Sequence, residues 1–189
     1  MKRTAAFLLR LFGWHVNSFI PPENRYVLIV APHTSWLDAL IGRLAFWTKR
    51  LPAKFFVKKE FFVFPFGYLL KALGGMPIDR KQAQHVVEHA VNLLASHEKL
   101  ALIITPEGTR KRTENWKKGF YYIARRADVP LYAGIVDYRK KTCTVLPRPI
   151  DTHRSWEDVN EELRRIYGGA CGRYPENFNL YKEETHLDG

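Results

Sequence analysis

The 189-residue chain has little cysteine, far fewer acidic than basic residues, and no long uninterrupted apolar run. Its two cysteines, Cys143 and Cys171, form no C-x-x-C pair and adjoin no histidine cluster. That excludes a disulfide framework and a zinc signature, and makes a reducing, cytoplasmic setting the simpler expectation. No G-x-S-x-G elbow is present, so a serine nucleophile of the hydrolase type has no motif to sit in. The longest body run without charge or strong polarity, Phe61 to Leu70, is about half of the ~20 apolar residues that a spanning helix needs. At the N-terminus Lys2 and Arg3 precede an apolar stretch, but Arg10 interrupts it and no small-residue cleavage site follows. The segment therefore reads as mature sequence and not as a signal peptide.

The acidic deficit is large. Thirty Lys and Arg against 19 Asp and Glu give a net charge of +11 and a sequence pI of 9.7, which favours polyanionic partners such as nucleic acid or anionic lipid headgroups. Charge alone does not choose between them. The apolar content of 46%, with 14% aromatics, supplies one core, so a single domain is expected over 1–189.

Tyr26 to Ala31 is a continuous apolar, β-branched run ending at Pro32, and Leu100 to Thr105 is another ending at Pro106. Both read as buried strands that feed loops. Gln82 to Ser96 has helical periodicity, Gly119 to Ala127 is a second helix, and Thr152 to Tyr167 is an amphipathic helix placed to cover a sheet face. Pro130 to Tyr138 and Thr142 to Leu146 read as strands joined by the basic turn Arg139-Lys140-Lys141. The alternation predicts an α/β fold, a mixed but largely parallel central sheet flanked by helices. From Gly168 onward the glycines and Pro175 predict an irregular tail.

Directly after the first strand, His33 stands in a loop and Asp38 about one turn into the helix that follows. A carboxylate that accepts from one ring nitrogen fixes the tautomer and leaves the other nitrogen to take a proton, as activation of a hydroxyl requires. The bland reading of the H-x4-D spacing is local capping, with Asp38 well placed against a helix dipole. After the second strand, Pro106-Glu107-Gly108-Thr109-Arg110 sets a glycine turn beside a guanidinium, a loop able to offer N–H groups and a planar fork to phosphate. Arg80, closing Gly75-Met76-Pro77-Ile78-Asp79-Arg80, and Lys58 add further cations. Taken singly, each of these is an ordinary solvated basic loop.

Taken in order they resemble the glycerolipid acyltransferases of the 1-acyl-sn-glycerol-3-phosphate acyltransferase type. That family's blocks are H-x4-D, a block ending in D-R, E-G-T-R and a V-P block. Here they stand at His33 to Asp38, Gly75 to Arg80, Pro106 to Arg110, and Val129 to Ile135, within a resemblance running from about Tyr26 to Pro147. Pro32 replaces a common Asn and Thr105 a common Phe, departures that bear on subfamily and acceptor. The resemblance implies the glycerol-3-phosphate acyltransferase-like fold and a compact bacterial form. It implies His33 as base with Asp38 orienting it, and no covalent acyl-enzyme, metal or cofactor, the cosubstrate being acyl-CoA or acyl carrier protein. Acceptor-phosphate recognition goes to Arg80 and Arg110, with Lys58 weaker, while Gly108 and Thr109 shape the loop and Glu107 organises it, pairing with a nearby cation.

A lipid acceptor implies a membrane partner, peripheral at the cytoplasmic face of the inner membrane. Two surfaces suit it. One is the amphipathic segment 1–20, with Phe7, Leu8, Leu11, Phe12 and Trp14 between cations; the other runs from Phe55 and Phe56 to Phe61, Phe62, Phe64 and Phe66 among lysines. Roughly half of these aromatics are expected in the core. Competing readings are a lyso-ornithine-type acceptor, a hydrolase activating water, and a basic nucleic-acid-binding module, the last disfavoured because it leaves the ordered blocks unexplained.

Overall fold

The computed structural model describes residues 2–79 and 83–181. In chain order the elements are α1 (Lys2–Leu11), β1 (His15–Val16), β2 (Arg25–Ala31), α2 (Leu37–Lys49), β3 (Ala53–Lys58), α3 (Phe66–Ala72), β4 (Gly75–Ile78), α4 (Ala83–Ser96), β5 (Leu100–Ile104), α5 (Gly119–Ala127), β6 (Leu131–Asp137), β7 (Thr142–Val145) and α6 (Trp156–Tyr167). Short 3₁₀ turns occupy Lys59–Phe61 and Pro175–Asn177.

Among the described residues seven strands form one sheet, in the order β1-β7-β6-β2-β5-β3-β4. The strands β4, β3, β5, β2 and β6 are mutually parallel, β7 returns antiparallel to β6, and β1 lies parallel to β7. The mixed, largely parallel sheet is the one that the sequence predicts. Its central strand β2 is covered on both faces, with Val27, Leu28 and Ile29 wholly buried, which is why the sequence there is uninterrupted rather than alternating.

Right-handed crossovers decide which face each helix covers. The β2-to-β3 and β3-to-β4 connections run one way along the sheet; β4-to-β5 and β5-to-β6 run the other. α2 and α3 therefore lie on one face and α4 and α5 on the opposite one. α1 packs on α2. On the other side α6 delivers Val159, Leu163 and Tyr167 to the core that holds Val27, Ile29, Leu102 and Leu131. After β2 the chain departs toward β3, and after β5 it departs toward β6, so two neighbouring strands send their loops in opposite directions. Such a switch point opens a crevice at the carboxyl edge of the sheet.

The helix predicted from Thr152 begins later, at Trp156, because Ser155 caps it by accepting from the Asp158 N–H (3.2 Å). The Gln82 end of the predicted α4 lies outside the described residues. Trp14, expected on the N-terminal apolar surface, is buried instead, its ring meeting the Tyr138 ring edge-on at 5.0 Å. Phe55 and Phe56 belong to β3 and pack to opposite faces, while Phe61, Phe64 and Phe66 stay exposed.

The tail after Gly168 is irregular as read, yet it is fastened. Phe178 is fully buried, the Tyr138 N–H donates to the Cys171 carbonyl (2.8 Å), and Trp116 Nε1 donates to Asn179 Oδ1 (3.3 Å). Phe178→Ala should therefore lower stability by about 3–5 kcal/mol in urea unfolding. A loss below ~1 kcal/mol, the scale of a surface substitution, would show that the tail is not part of the core.

Candidate active site

The chain leaves β2 through a cis Ala31–Pro32 peptide bond and wraps around one carboxylate. Asp38 is the second residue of α2, closer to its start than the sequence spacing suggests. Its Oδ2 accepts from the Thr34 N–H and the Ser35 N–H, both at 2.8 Å, and from His33 Nδ1 at 3.2 Å. Backbone donors three and four residues upstream and an imidazole five residues upstream converge on a single oxygen. This is the local side-chain-to-backbone closure that aspartate favours at helix starts, and it gives the H-x4-D spacing its physical reason. The other oxygen, Oδ1, accepts from the Tyr138 hydroxyl at 2.6 Å.

Asp38 is buried, whereas the His33 side chain keeps 21% of its surface exposed. With Nδ1 donating to the carboxylate, Nε2 is the nitrogen left to accept a proton. Tyr138 follows β6, one hundred residues from Asp38 in sequence. Burial pushes its phenol far above the ordinary range and Asp38 pushes it further, so it remains a donor across the physiological range.

The second loop enters from β5. Glu107 is 4% exposed, and its Oε1 accepts from the His33 backbone N–H at 2.9 Å. The expected pairing with a cation is not what is found: the partner is the histidine loop itself. Its Oε2 is buried with no hydrogen-bond partner among the described residues. Burial pushes this carboxyl up to about 7, against the smaller downward pull of the His33 and Glu107 N–H groups.

Gly108 follows with φ +66°, and a Cβ there would sit 2.9 Å from the Lys117 side chain, so this corner requires glycine. Thr109 is exposed and its hydroxyl accepts from the Lys111 N–H (3.2 Å). Arg110 turns toward the histidine loop and, with Thr34, Ser35, Trp36, Tyr174 and Asn177, lines a pocket of about 300 Å³.

The structure thus gathers His33, Asp38, Glu107 and Arg110. Lys58, exposed at the end of β3, shares their sheet edge but stands two strands from β2 and does not line the pocket. Arg80 lies outside the described residues. Sequence reading missed Tyr138 and the tail, which packs over the loop. The Tyr174 N–H donates to Thr34 Oγ1 (3.2 Å), and a Cβ at Gly172 would come within 2.7 Å of that same oxygen. Neither contact has a local signal, since each spans a hundred residues or more.

A fold with helices on both faces of a largely parallel sheet, and a His-Asp pair at its switch point, defines a class of loop-borne hydrogen-bonded sites. The sequence model of the acyltransferase family matches residues 15–136, and the chain belongs to that family. Two relatives carry the name 1-acyl-sn-glycerol-3-phosphate acyltransferase. One, from Streptococcus pneumoniae, is 32% identical over 118 residues, covering 61% of this chain and 43% of its own length. The other, from Cocos nucifera, is 30% identical over 193 residues, covering 89% of this chain and 62% of its own length. This chain thus spans about half the length of those relatives. The crystal structure of a 1-acyl-sn-glycerophosphate (LPA) acyltransferase from Thermotoga maritima shares the fold, with a TM-score of 0.60 at 16% identity, over 87% of this chain and 74% of that one.

The buried carboxyl gives a pH test. The folded group titrates at about 7 and the ordinary value is 4.5, so between them the folded state holds a proton that the unfolded state releases. Its contribution to stability is complete below pH 4.5 and is lost as pH rises through about 7. Glu107→Gln should flatten that decline in unfolding midpoints measured across the range, and an unchanged slope would show that Glu107 does not titrate there.

Proposed function

We propose that this chain transfers an acyl group from acyl-CoA or acyl carrier protein to the hydroxyl of a phosphate-bearing lysolipid. The first-choice acceptor is 1-acyl-sn-glycerol-3-phosphate, with phosphatidic acid as the product. The observation that carries the reading is the His33–Asp38 pair beside a pocket lined by Arg110. Family membership and the relatives' printed names support it.

In this mechanism His33 Nε2 takes the proton of the acceptor hydroxyl as its oxygen attacks the thioester carbonyl. Asp38, held by Tyr138 and two backbone N–H groups, stays in place as the imidazolium forms. Collapse of the tetrahedral adduct breaks the carbon–sulfur bond, and His33 returns its proton to the departing thiolate. No acyl-enzyme is needed, in keeping with the buried thiols. Burial pushes Cys143 up to about 12 and raises Cys171 as well, leaving neither a thiolate at neutral pH. Arg110 takes the acceptor phosphate with its planar fork, and Arg80 contributes from the block Gly75 to Arg80, whereas Lys58 stands outside this pocket. Gly108 and Thr109 shape the Arg110 loop, and Glu107 buttresses His33 from below. The acceptor reaches this site from a membrane surface, at the cytoplasmic face of the inner membrane, with the protein held peripherally. Among the described residues no helix is long and apolar enough to cross a membrane.

The test is thiol release from acyl-CoA over a panel of lysolipid acceptors. Release that depends on lysophosphatidate supports the reading; equal release without acceptor would make the chain a hydrolase, and release driven by a lyso-aminolipid would move the acceptor class. His33→Ala should lower turnover by roughly 10²–10⁴-fold. Arg110→Ala should raise acceptor KM by roughly ten- to a hundred-fold, the worth of hydrogen bonds to a charged group, and unchanged kinetics would remove the phosphate assignment. Tyr138→Phe should cost about tenfold in turnover with little change in acceptor KM, since it touches Asp38 and not the pocket.

A further inference from the structure

Most of the large apolar side chains left exposed gather at the sheet edge that carries His33. The 3₁₀ turn after β3 and the start of α3 form a lip there, with Phe61, Val63, Phe64, Phe66, Tyr68 and Leu69 all more than half exposed and Phe64 at 85%. Val57 of β3 lies beneath the lip, in an apolar groove of about 290 Å³. Because Val57 shares its side of β3 with Ala53 and Phe55, and those two pack in the cluster that takes Phe46 of α2, the lip stands on the α2 face.

A second apolar tip reaches the same edge from the other flank. β1 begins at His15 opposite Thr142, which itself faces Asp137 at the end of β6, so the end of α1 lies at the carboxyl edge of the sheet. Leu11 and Phe12 are each 65% exposed there, and α1 packs on α2. Between the two tips, Trp36 is 64% exposed on the pocket rim. All three apolar groups lie along this edge, beside the α1–α2–α3 face, and Trp36 joins them to the pocket that Arg110 also lines.

The charged groups around these tips are mainly cations: Arg10 by α1, and Lys58, Lys59 and Lys71 by the lip, against Glu60 and against Asp79, which pairs with Lys59. A second copy of the same +11 chain would be repelled by that rim and would seal the pocket mouth. A bilayer supplies what the surface lacks, hydrocarbon for the aromatics and anionic headgroups for the lysines.

We propose that this edge docks on an anionic bilayer, with Phe64 and Phe66 inserting below the headgroups and Leu11 and Phe12 making the second contact. The inference deepens the acyl-transfer reading, on which it rests for the lipid acceptor. It also chooses between two surfaces that the sequence leaves separate, by joining them.

The experiment is co-sedimentation of the full chain with phosphatidylcholine vesicles containing phosphatidylglycerol, comparing Phe64→Ser with Phe66→Ser, Leu11→Ser with Phe12→Ser, and Tyr122→Ser. The first pair should weaken binding at least about tenfold, the second less, and the Tyr122 variant, exposed on α5 across the sheet, not at all. All these positions are exposed, and circular dichroism should show the wild-type fold. In parallel, acylation of a lysolipid in vesicles should fall in the lip variant while a water-soluble short-chain acceptor is acylated at the wild-type rate. Vesicle binding is read independently of catalysis, so failure of the acyl-transfer reading leaves the docking result standing by itself. Wild-type vesicle binding by the lip variant would overturn the proposal. So would a wild-type dimer that the lip variant dissolves, which would give the face to a second copy.

Discussion

The Asp38 carboxylate is the point on which the site turns. Four donors meet it: two backbone N–H groups, the imidazole, and a phenol from the end of the neighbouring strand β6. Charge-directed hydrogen bonds of this kind are short and geometrically demanding, so the loop from Thr34 to Ser35 and the ring of His33 have one arrangement in which all are satisfied. Everything else near the pocket supports that arrangement. Glu107 holds the His33 backbone, the tail holds Thr34, and Trp14 backs Tyr138.

The fold places these supports by its order of crossovers. β2 and β5 are neighbours whose connections leave in opposite directions, so the histidine loop and the Glu107-to-Arg110 loop face one another across a crevice rather than lying side by side on one path. The same handedness puts α2 and α3 on one face, where α1 packs on α2, and this gathers apolar tips and cations next to the pocket mouth. The excess of positive charge, ambiguous as a composition, acquires a direction only when that placement is known.

Much of this was legible in the residues. Apolar runs ending at Pro32 and Pro106 marked β2 and β5, periodicity marked α4, and the basic turn at Arg139 marked the β6–β7 hairpin, because each of those signals is local. The ordered blocks then brought His33, Asp38 and Arg110 forward as a set. What stayed hidden has a common cause, dependence on partners distant in sequence. Glu107 reads as a cation's partner until the fold sets it under His33, seventy-four positions away. Tyr138 looks like the end of a strand, and Gly172 like part of a loose tail, until each is seen against the loop at His33. Trp14 reads as surface in an amphipathic segment because nothing nearby in sequence discloses the ring that covers it.

The Asp38 carboxylate lies 3.2 Å from Nδ1 of His33, a contact that holds the ring proton on that nitrogen and leaves Nε2 as an acceptor. Nitrogen-15 NMR of the neutral histidine ring reads that tautomer directly. A dominant Nδ1–H form is expected in the protein as it stands, and its loss in Asp38→Asn. A dominant Nε2–H form with Asp38 intact would contradict it.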